Sequence, residues 1–317
     1  MVRIPVILGP TACGKTAVAA RLALEIGGEV VSADSRQVYR GMDIGSGKDL
    51  GDYIVNGVSI PYHLIDIVEP GYEYNIFEYQ KDFGKACNDI ISRRRVPVLC
   101  GGSGMYLEAV LKGYSLPDAP PDPEFTEQMK IRNDAELRDE LARLKKLHST
   151  TDTSDRGRML RALEIEMKRM QDAGFGMQDA GFRMQDNSSI ILHPASFTLF
   201  GINPGREIVR QRITARLKSR LENGMTEEVR QLLDRGVPPA RLKAYGLEYK
   251  FLTQYLEGSL SYDEMFKLLN TAIHQFAKRQ MTWFRRMERQ GMNIHWIEGE
   301  MSTAEKVGII REILATG

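Results

Sequence analysis

Three short stretches carry residue types and spacings that could do chemistry. The first, Gly9-Pro10-Thr11-Ala12-Cys13-Gly14-Lys15-Thr16, fits the pattern of glycine, four residues, glycine, lysine and a hydroxyl residue. Such glycines let main-chain amides close around a phosphate chain. Lys15 supplies a cation, Thr16 a hydroxyl for Mg2+, and a following helix adds the positive end of its dipole. The expectation is a diphosphate site formed by Gly9, Thr11, Ala12, Cys13, Gly14, Lys15 and Thr16, with Thr16 at the metal. The loop alone does not say whether the diphosphate belongs to ATP or to another compound.

The second stretch is Asp34-Ser35-Arg36-Gln37-Val38-Tyr39, the third Gly101-Gly102-Ser103-Gly104. Asp34 ends an apolar run, where a carboxylate can ligate Mg2+, help cap a helix or accept a proton. Asp66, in His63-Leu64-Ile65-Asp66, fits a structural or indirect metal role better. His63 has no second histidine at ligand spacing and reads as a hydrogen-bonded structural residue.

Two helical patterns place further charge. Val209, Ile213, Leu217 and Leu221 recur every four residues, and Arg212, Arg216 and Arg220 run beside them. One of these arginines is expected to turn inward to an anion, where a guanidinium fork suits phosphate oxygens, and the other two to stay solvated. In Tyr262–Arg289 the residues Met265, Leu269, Ala272, Phe276, Trp283 and Met287 predict a core stripe. Lys278, Arg279, Arg285, Arg286 and Arg289 supply charge there, and interleaving with Trp283 and Phe284 suits a phosphate backbone with unpaired bases.

The elements that must hold these residues are legible as alternation. Ile4–Leu8, Glu29–Ala33 and Val96–Cys100 are apolar runs that each lead into one of the three stretches, and Thr16–Ile26 is helix-like. Buried parallel strands have this composition, and in a doubly wound sheet such strand ends converge on one crevice. An α/β core is therefore predicted over 1–116. The prolines of 117–123 interrupt it, and an inserted helical domain is predicted over 117–192. Residues 193–317 return to strand at Phe197–Ile202, continue as helices from Arg206 to Arg289 and close with a strand at Asn293–Ile297. A near-duplication, Met170–Gly176 against Met177–Arg183, reads as a flexible loop because its glycines deter helix.

With 42% hydrophobic and 27% charged residues, the 317-residue chain is neither disordered nor membrane-spanning in character, and a cytoplasmic location with no membrane partner is expected. Cys13, Cys87 and Cys100 form no C-x-x-C pair, so reduced thiols are expected. The net charge of +1 conceals an asymmetry. Residues 205–290 hold 17 Lys/Arg against 10 Asp/Glu, a balance of +7 that leaves −6 for the remainder, which suggests a polyanionic partner.

Taken together, residues 9–16, the block 34–45, His63–Asp66, Gly101–Tyr106, Arg161–Glu164 and Ala277–Arg285 resemble the tRNA dimethylallyltransferase (tRNA isopentenyltransferase) family. The resemblance spans nearly the whole chain, and the blocks 34–45 and 277–285 are its specific parts. It implies a P-loop core, an inserted helical domain that helps clasp the tRNA anticodon stem-loop, and a channel admitting dimethylallyl diphosphate from one side and adenine from the other. A monomer using Mg2+ is expected. By motif position Asp34 resembles the base at the acceptor amine, Thr16 and Lys15 the diphosphate and metal contacts, and Arg216 the diphosphate-binding arginine. Ser35, Gln37, Lys278, Arg279, Gln280 and Arg285 are the expected tRNA contacts. Ser103 stands where the family usually has threonine and keeps a hydroxyl for the leaving group. A small-molecule kinase or a hydrolysing NTPase would share the first motif but not the Asp-Ser-x-Gln-Val-Tyr block. An adenylate isopentenyltransferase would share the chemistry but has less use for the basic helices.

Overall fold

The computed structural model describes residues 2–113, 122–144, 156–175 and 195–316. In chain order, β1 (Val2–Leu8) leads through the phosphate-loop sequence into α1 (Lys15–Ile26), then β2 (Gly28–Ser32). A short 3-10 turn at Leu50–Tyr53 precedes a small hairpin, β3 (Ile54–Val55) and β4 (Val58–Ser59), and β5 (Tyr62–His63). Next come α2 (Ile76–Ser92), β6 (Val96–Gly101) and α3 (Gly104–Leu111). The helices α4 (Pro123–Met129), α5 (Asp134–Leu144) and α6 (Arg156–Phe175) follow. The chain then runs through β7 (Ala195–Asn203), α7 (Arg206–Glu222), α8 (Met225–Asp234), α9 (Pro239–Tyr245), α10 (Leu247–Leu256), α11 (Tyr262–Arg289), β8 (Ile294–Glu298) and α12 (Thr303–Thr316).

Two compact units result, one from Met1–Tyr114 with Ile190–Gly317, the other from Ser115–Ser189. The first is built on a six-stranded sheet of order β5-β2-β6-β1-β7-β8, and every ladder in it is parallel. Ile4, Val6, Ile7 and Leu8 of β1 are fully buried because helices cover both faces, which explains why this strand reads as continuous apolar sequence rather than as alternation. The chain leaves β1 toward β2 on one side and reaches β7 on the other. The ends of β1, β2 and β6 therefore open onto a crevice beside the reversal, where open α/β sheets hold ligands.

The long helix beside that crevice is α11. Ser261 and Glu264 form a capping box at its start, each satisfying an amide that the first turn leaves open. Its buried line is Met265, Leu269, Ile273, Ala277, Gln280, Phe284 and Met287. This corrects the expected stripe. Ala272, Phe276 and Trp283 are only half-buried, whereas Phe284 lies in the core and is not available to stack on a base. The helix rotates a little per turn relative to a fixed spacing, so a stripe assembled from the largest residues drifts off the true seam.

The second unit packs α5 against α6 through Leu137, Leu141, Leu160 and Leu163. Glu164 accepts a hydrogen bond from the Asp122 amide and pairs with Arg161, so its buried carboxylate is satisfied. The tract Met170–Phe175 belongs to α6, contrary to the loop expected there, since Gly174 falls near a helix end where its cost is small. The rest of the duplication lies outside the described residues. No helix among the described residues is long and apolar enough to cross a membrane.

Candidate active site

The loop after β1 is held tightly from below. A side chain at Gly9 would place its Cβ 2.7 Å from the Ile202 carbonyl oxygen and 2.8 Å from Cys13 Sγ. Ala12 adopts φ 61, a left-handed backbone that costs a non-glycine residue about 1 kcal/mol and persists only where surrounding contacts fix it. Two such contacts converge on Thr11: its amide donates to Gln280 Oε1 at 2.8 Å, and its hydroxyl accepts from Arg216 Nη2. Beyond the loop α1 begins at Lys15 with no acidic residue in its first turn, leaving its positive end unopposed.

Asp34 stands just past the end of β2, half-buried, with Oδ1 accepting the Arg36 amide at 3.0 Å. This local turn aims the carboxylate while leaving its other oxygen open to the crevice. The Ser35 amide donates to Ser103 Oγ at 3.2 Å, which ties the loop after β2 to the loop after β6. Gln280 completes the frame, donating from Nε2 to the Gly102 carbonyl at 2.8 Å. One α11 side chain thus braces the loops after β1 and β6 together.

These loops enclose a cavity of about 380 Å³. Thr11, Lys15, Ser103, Arg216 and Arg220 give it a polar, mostly cationic lining, to which Asp34, Ser35 and Arg36 add. Met105, Ile273, Phe276 and Trp283 give it an apolar side. A smaller chamber of about 60 Å³ shares Thr11, Lys15, Asp34 and Arg216 and adds Thr16, Gln37 and Cys100. Desolvation, then the charge of Arg220, lowers the pKa of Arg216 below the ordinary arginine value. Arginine starts so high that it stays charged. Burial pushes the Cys100 thiol up to about 12, so it is no nucleophile here.

Thr16, Asp34 and Asp49 are oxygen-bearing residues of the small chamber that can touch a divalent ion. No group of three or more His, Cys, Asp or Glu capable of holding a metal occurs among the described residues. That donor set fits Mg2+, which keeps few protein ligands and takes the rest from water and substrate phosphates. The arrangement can hold a diphosphate at one end, a small apolar group beside it, and a carboxylate within the same space.

An IPP transferase family model matches residues 37–287, and an isopentenyl transferase model matches residues 2–57. The chain is 52% identical over 308 residues to tRNA dimethylallyltransferase 1 of Parabacteroides distasonis, covering 97% of this chain and 96% of that one. The chain belongs to the tRNA dimethylallyltransferase family. A second member, tRNA dimethylallyltransferase 2 of Bacteroides fragilis, is 51% identical with the same coverage. The crystal structure of the full-length tRNA isopentenylpyrophosphate transferase of Bacillus halodurans matches with a TM-score of 0.69 at 29% identity, over 99% of this chain and 96% of that one.

Among the residues that the family motifs single out, Thr11, Lys15, Asp34, Ser35, Ser103, Arg216, Arg279 and Gln280 line the larger cavity, and Thr16 and Gln37 the smaller chamber. Lys278 and Arg285 are exposed on α11 and lie outside both. Cys13 points into the core. Gln37 and Gln280 have their amides engaged within the protein: Gln37 Nε2 donates to the Gly47 carbonyl and its Oε1 accepts from Ser32. His63 bonds Glu29 and Asp66 pairs with the buried Lys48, which are structural roles. Of the arginine row only Arg212 is exposed. Arg220 joins Arg216 in the cavity wall and pairs with Asp49 at 3.0 Å, because the row is wider than one residue and faces the crevice along its last two turns. Arg36, Asp49, Glu248 and Phe276 had no part in the site expected from sequence. Asp49 and Glu248 carry no motif, and Phe276 was absorbed into the misphased stripe.

Proposed function

We propose that the protein transfers a dimethylallyl group from dimethylallyl diphosphate to the exocyclic amine of the adenosine adjacent to the anticodon in tRNA, releasing diphosphate. The observation that carries this reading is that Asp34 and the phosphate-loop set of Thr11, Lys15 and Arg216 line one cavity. In the reaction the allylic carbon–oxygen bond breaks and its electron pair leaves with diphosphate. The carbon–nitrogen bond forms from the amine lone pair, and the amine proton passes to the Asp34 carboxylate. An adenine amine is a poor nucleophile, so a carboxylate that orients it and takes its proton helps most as the new bond forms. Loop amides, Lys15, Arg216 and the Ser103 hydroxyl meet the charge building on the leaving group, and being fixed in advance they need little reorganisation. Mg2+, when bound by Thr16 and the diphosphate, supplies further positive charge there.

Folded tRNA is the acceptor supported by the exposed Lys278, Arg279 and Arg285 on α11, which suit a phosphate backbone, while an unpaired loop base can be turned into a cavity at small cost. The inserted segment 117–192, with its helices α4, α5 and α6, serves in this reading to clasp the anticodon stem. A single chain carries every residue invoked, which supports a monomer as the working form, acting on tRNA in the cytoplasm. The rival acceptor is free AMP, the substrate class of an adenylate isopentenyltransferase. Incubation with dimethylallyl diphosphate and either tRNA or AMP, followed by nucleoside mass spectrometry, separates them. Prenylated adenosine in tRNA with little prenyl-AMP is expected; efficient prenylation of AMP alone would overturn the reading.

A further inference from the structure

Arg36 follows Asp34 by two residues, and its surroundings are more elaborate than a solvated arginine needs. Its Nη1 donates to Glu248 Oε2 at 3.0 Å, with the two side chains only 21% and 10% exposed. Its guanidinium lies 5.0 Å from the centre of the Phe276 ring, within cation–π range. Gly246, at φ 152, comes so close that a Cβ there would sit 2.7 Å from Arg36 Cζ and Nε. An ion pair, an aromatic face and a glycine cradle therefore fix one side chain from α10 and α11. The main chain of the same residue donates the 3.0 Å hydrogen bond that aims the Asp34 carboxylate.

We infer that Glu248 is a positioning residue for the acceptor half of the reaction, acting through Arg36 to hold the Asp34 carboxylate toward the adenine amine. Glu248 borders the cavity but faces Arg36 rather than the phosphate loop. Its loss breaks no hydrogen bond of Thr11, Lys15 or Arg216, although its negative charge is among those that favour the charged form of Arg216. A carboxylate free to swing spends less time within reach of the amine, and misplacement of this kind lowers the chemical step more than ground-state binding. The inference rests on the assignment of Asp34 as proton acceptor given above.

The test is a double-mutant cycle with Glu248→Gln, Arg36→Ala and the pair, assayed for prenyl transfer to tRNA. Expected are a roughly tenfold fall in kcat for Glu248→Gln, a KM for dimethylallyl diphosphate within about twofold of wild type, and a double variant no slower than Arg36→Ala alone. Should Glu248→Gln fail to fold, Arg36→Lys gives the same readout from the other partner, since it keeps the charge and loses the fork: kcat should fall at an unchanged donor KM. Unchanged kcat in the folded variants, additive losses in the cycle, or a loss confined to donor KM would overturn the inference. A wild-type protein that prenylates no acceptor would instead remove the functional reading beneath it.

Discussion

Arg216 donates from Nη2 to the hydroxyl of Thr11, so helix α7 is tied directly to the loop that follows β1. The same guanidinium lies 3.7 Å from Asp49 and borders the cavity, leaving part of its fork open to a ligand. Arg216→Ala should therefore raise the KM for dimethylallyl diphosphate and lower kcat together, since it removes both a ground-state contact and charge beside the leaving group. Steady-state kinetics with varied donor test this, and two unchanged constants would exclude Arg216 from the site. Arg216→Lys should recover little, because an ammonium cannot hold Thr11 and a phosphate oxygen with one planar fork.

Gln280 is expected to behave as a brace. Replacing it with Leu leaves the Thr11 amide and the Gly102 carbonyl without their partner inside the protein, a loss of about 2 kcal/mol. Urea denaturation should show the midpoint falling at constant m. Donor affinity should fall as well, because the phosphate loop loses one of its two fixed points. Full stability with normal donor binding would show that water replaces the amide at no cost.

Glu29 gives a pH signature that is separate from catalysis. The Arg93 guanidinium holds its carboxyl down to about 2 from an ordinary 4.5, burial opposes the shift, and His63 adds to it. A carboxyl with a depressed folded-state pKa contributes stability that is fully present above 4.5 and lost as pH falls through about 2. The contribution is at most about 3 kcal/mol. Glu29→Gln should be less stable than wild type at neutral pH, with the two curves converging between pH 4.5 and 2. Parallel curves across that range in chemical denaturation would contradict it.

Neutralising Lys278, Arg279 and Arg285 together should weaken tRNA binding and flatten its salt dependence by roughly one unit of slope for each phosphate that these side chains neutralise in the wild type. Neutralising Lys278 and Arg285 alone should leave dimethylallyl diphosphate binding nearly as in the wild type, because both lie outside the cavity, whereas Arg279 lines it. Unchanged tRNA affinity across a salt series would move the RNA-binding surface elsewhere.

Much of the site was legible because its chemistry sits in local motifs. The loop after β1, Asp34 after β2 and Ser103 after β6 each follow an apolar run, and parallel strands bring such ends together by topology alone. Short elements were not legible: β3, β4 and β5 have two residues each, too few for a period to show. Long-range pairing was also hidden. Nothing in the types of Arg36 and Glu248 announces that residues 212 positions apart will meet, and the motif that marks Gln280 as a tRNA contact does not announce that its amide braces the loops after β1 and β6. Helix phase accounts for Phe276 and Trp283, which the structure turns from core into cavity wall.

The central claim is that one carboxylate, Asp34, takes the acceptor proton in the cavity that also holds the diphosphate. The most direct measurement is the single-turnover rate of prenyl transfer to tRNA by Asp34→Ala at saturating donor, with tRNA affinity measured alongside. The rate should fall by at least about a hundredfold, the usual scale for a lost general base, with tRNA affinity largely intact. A rate close to that of the wild type would contradict it.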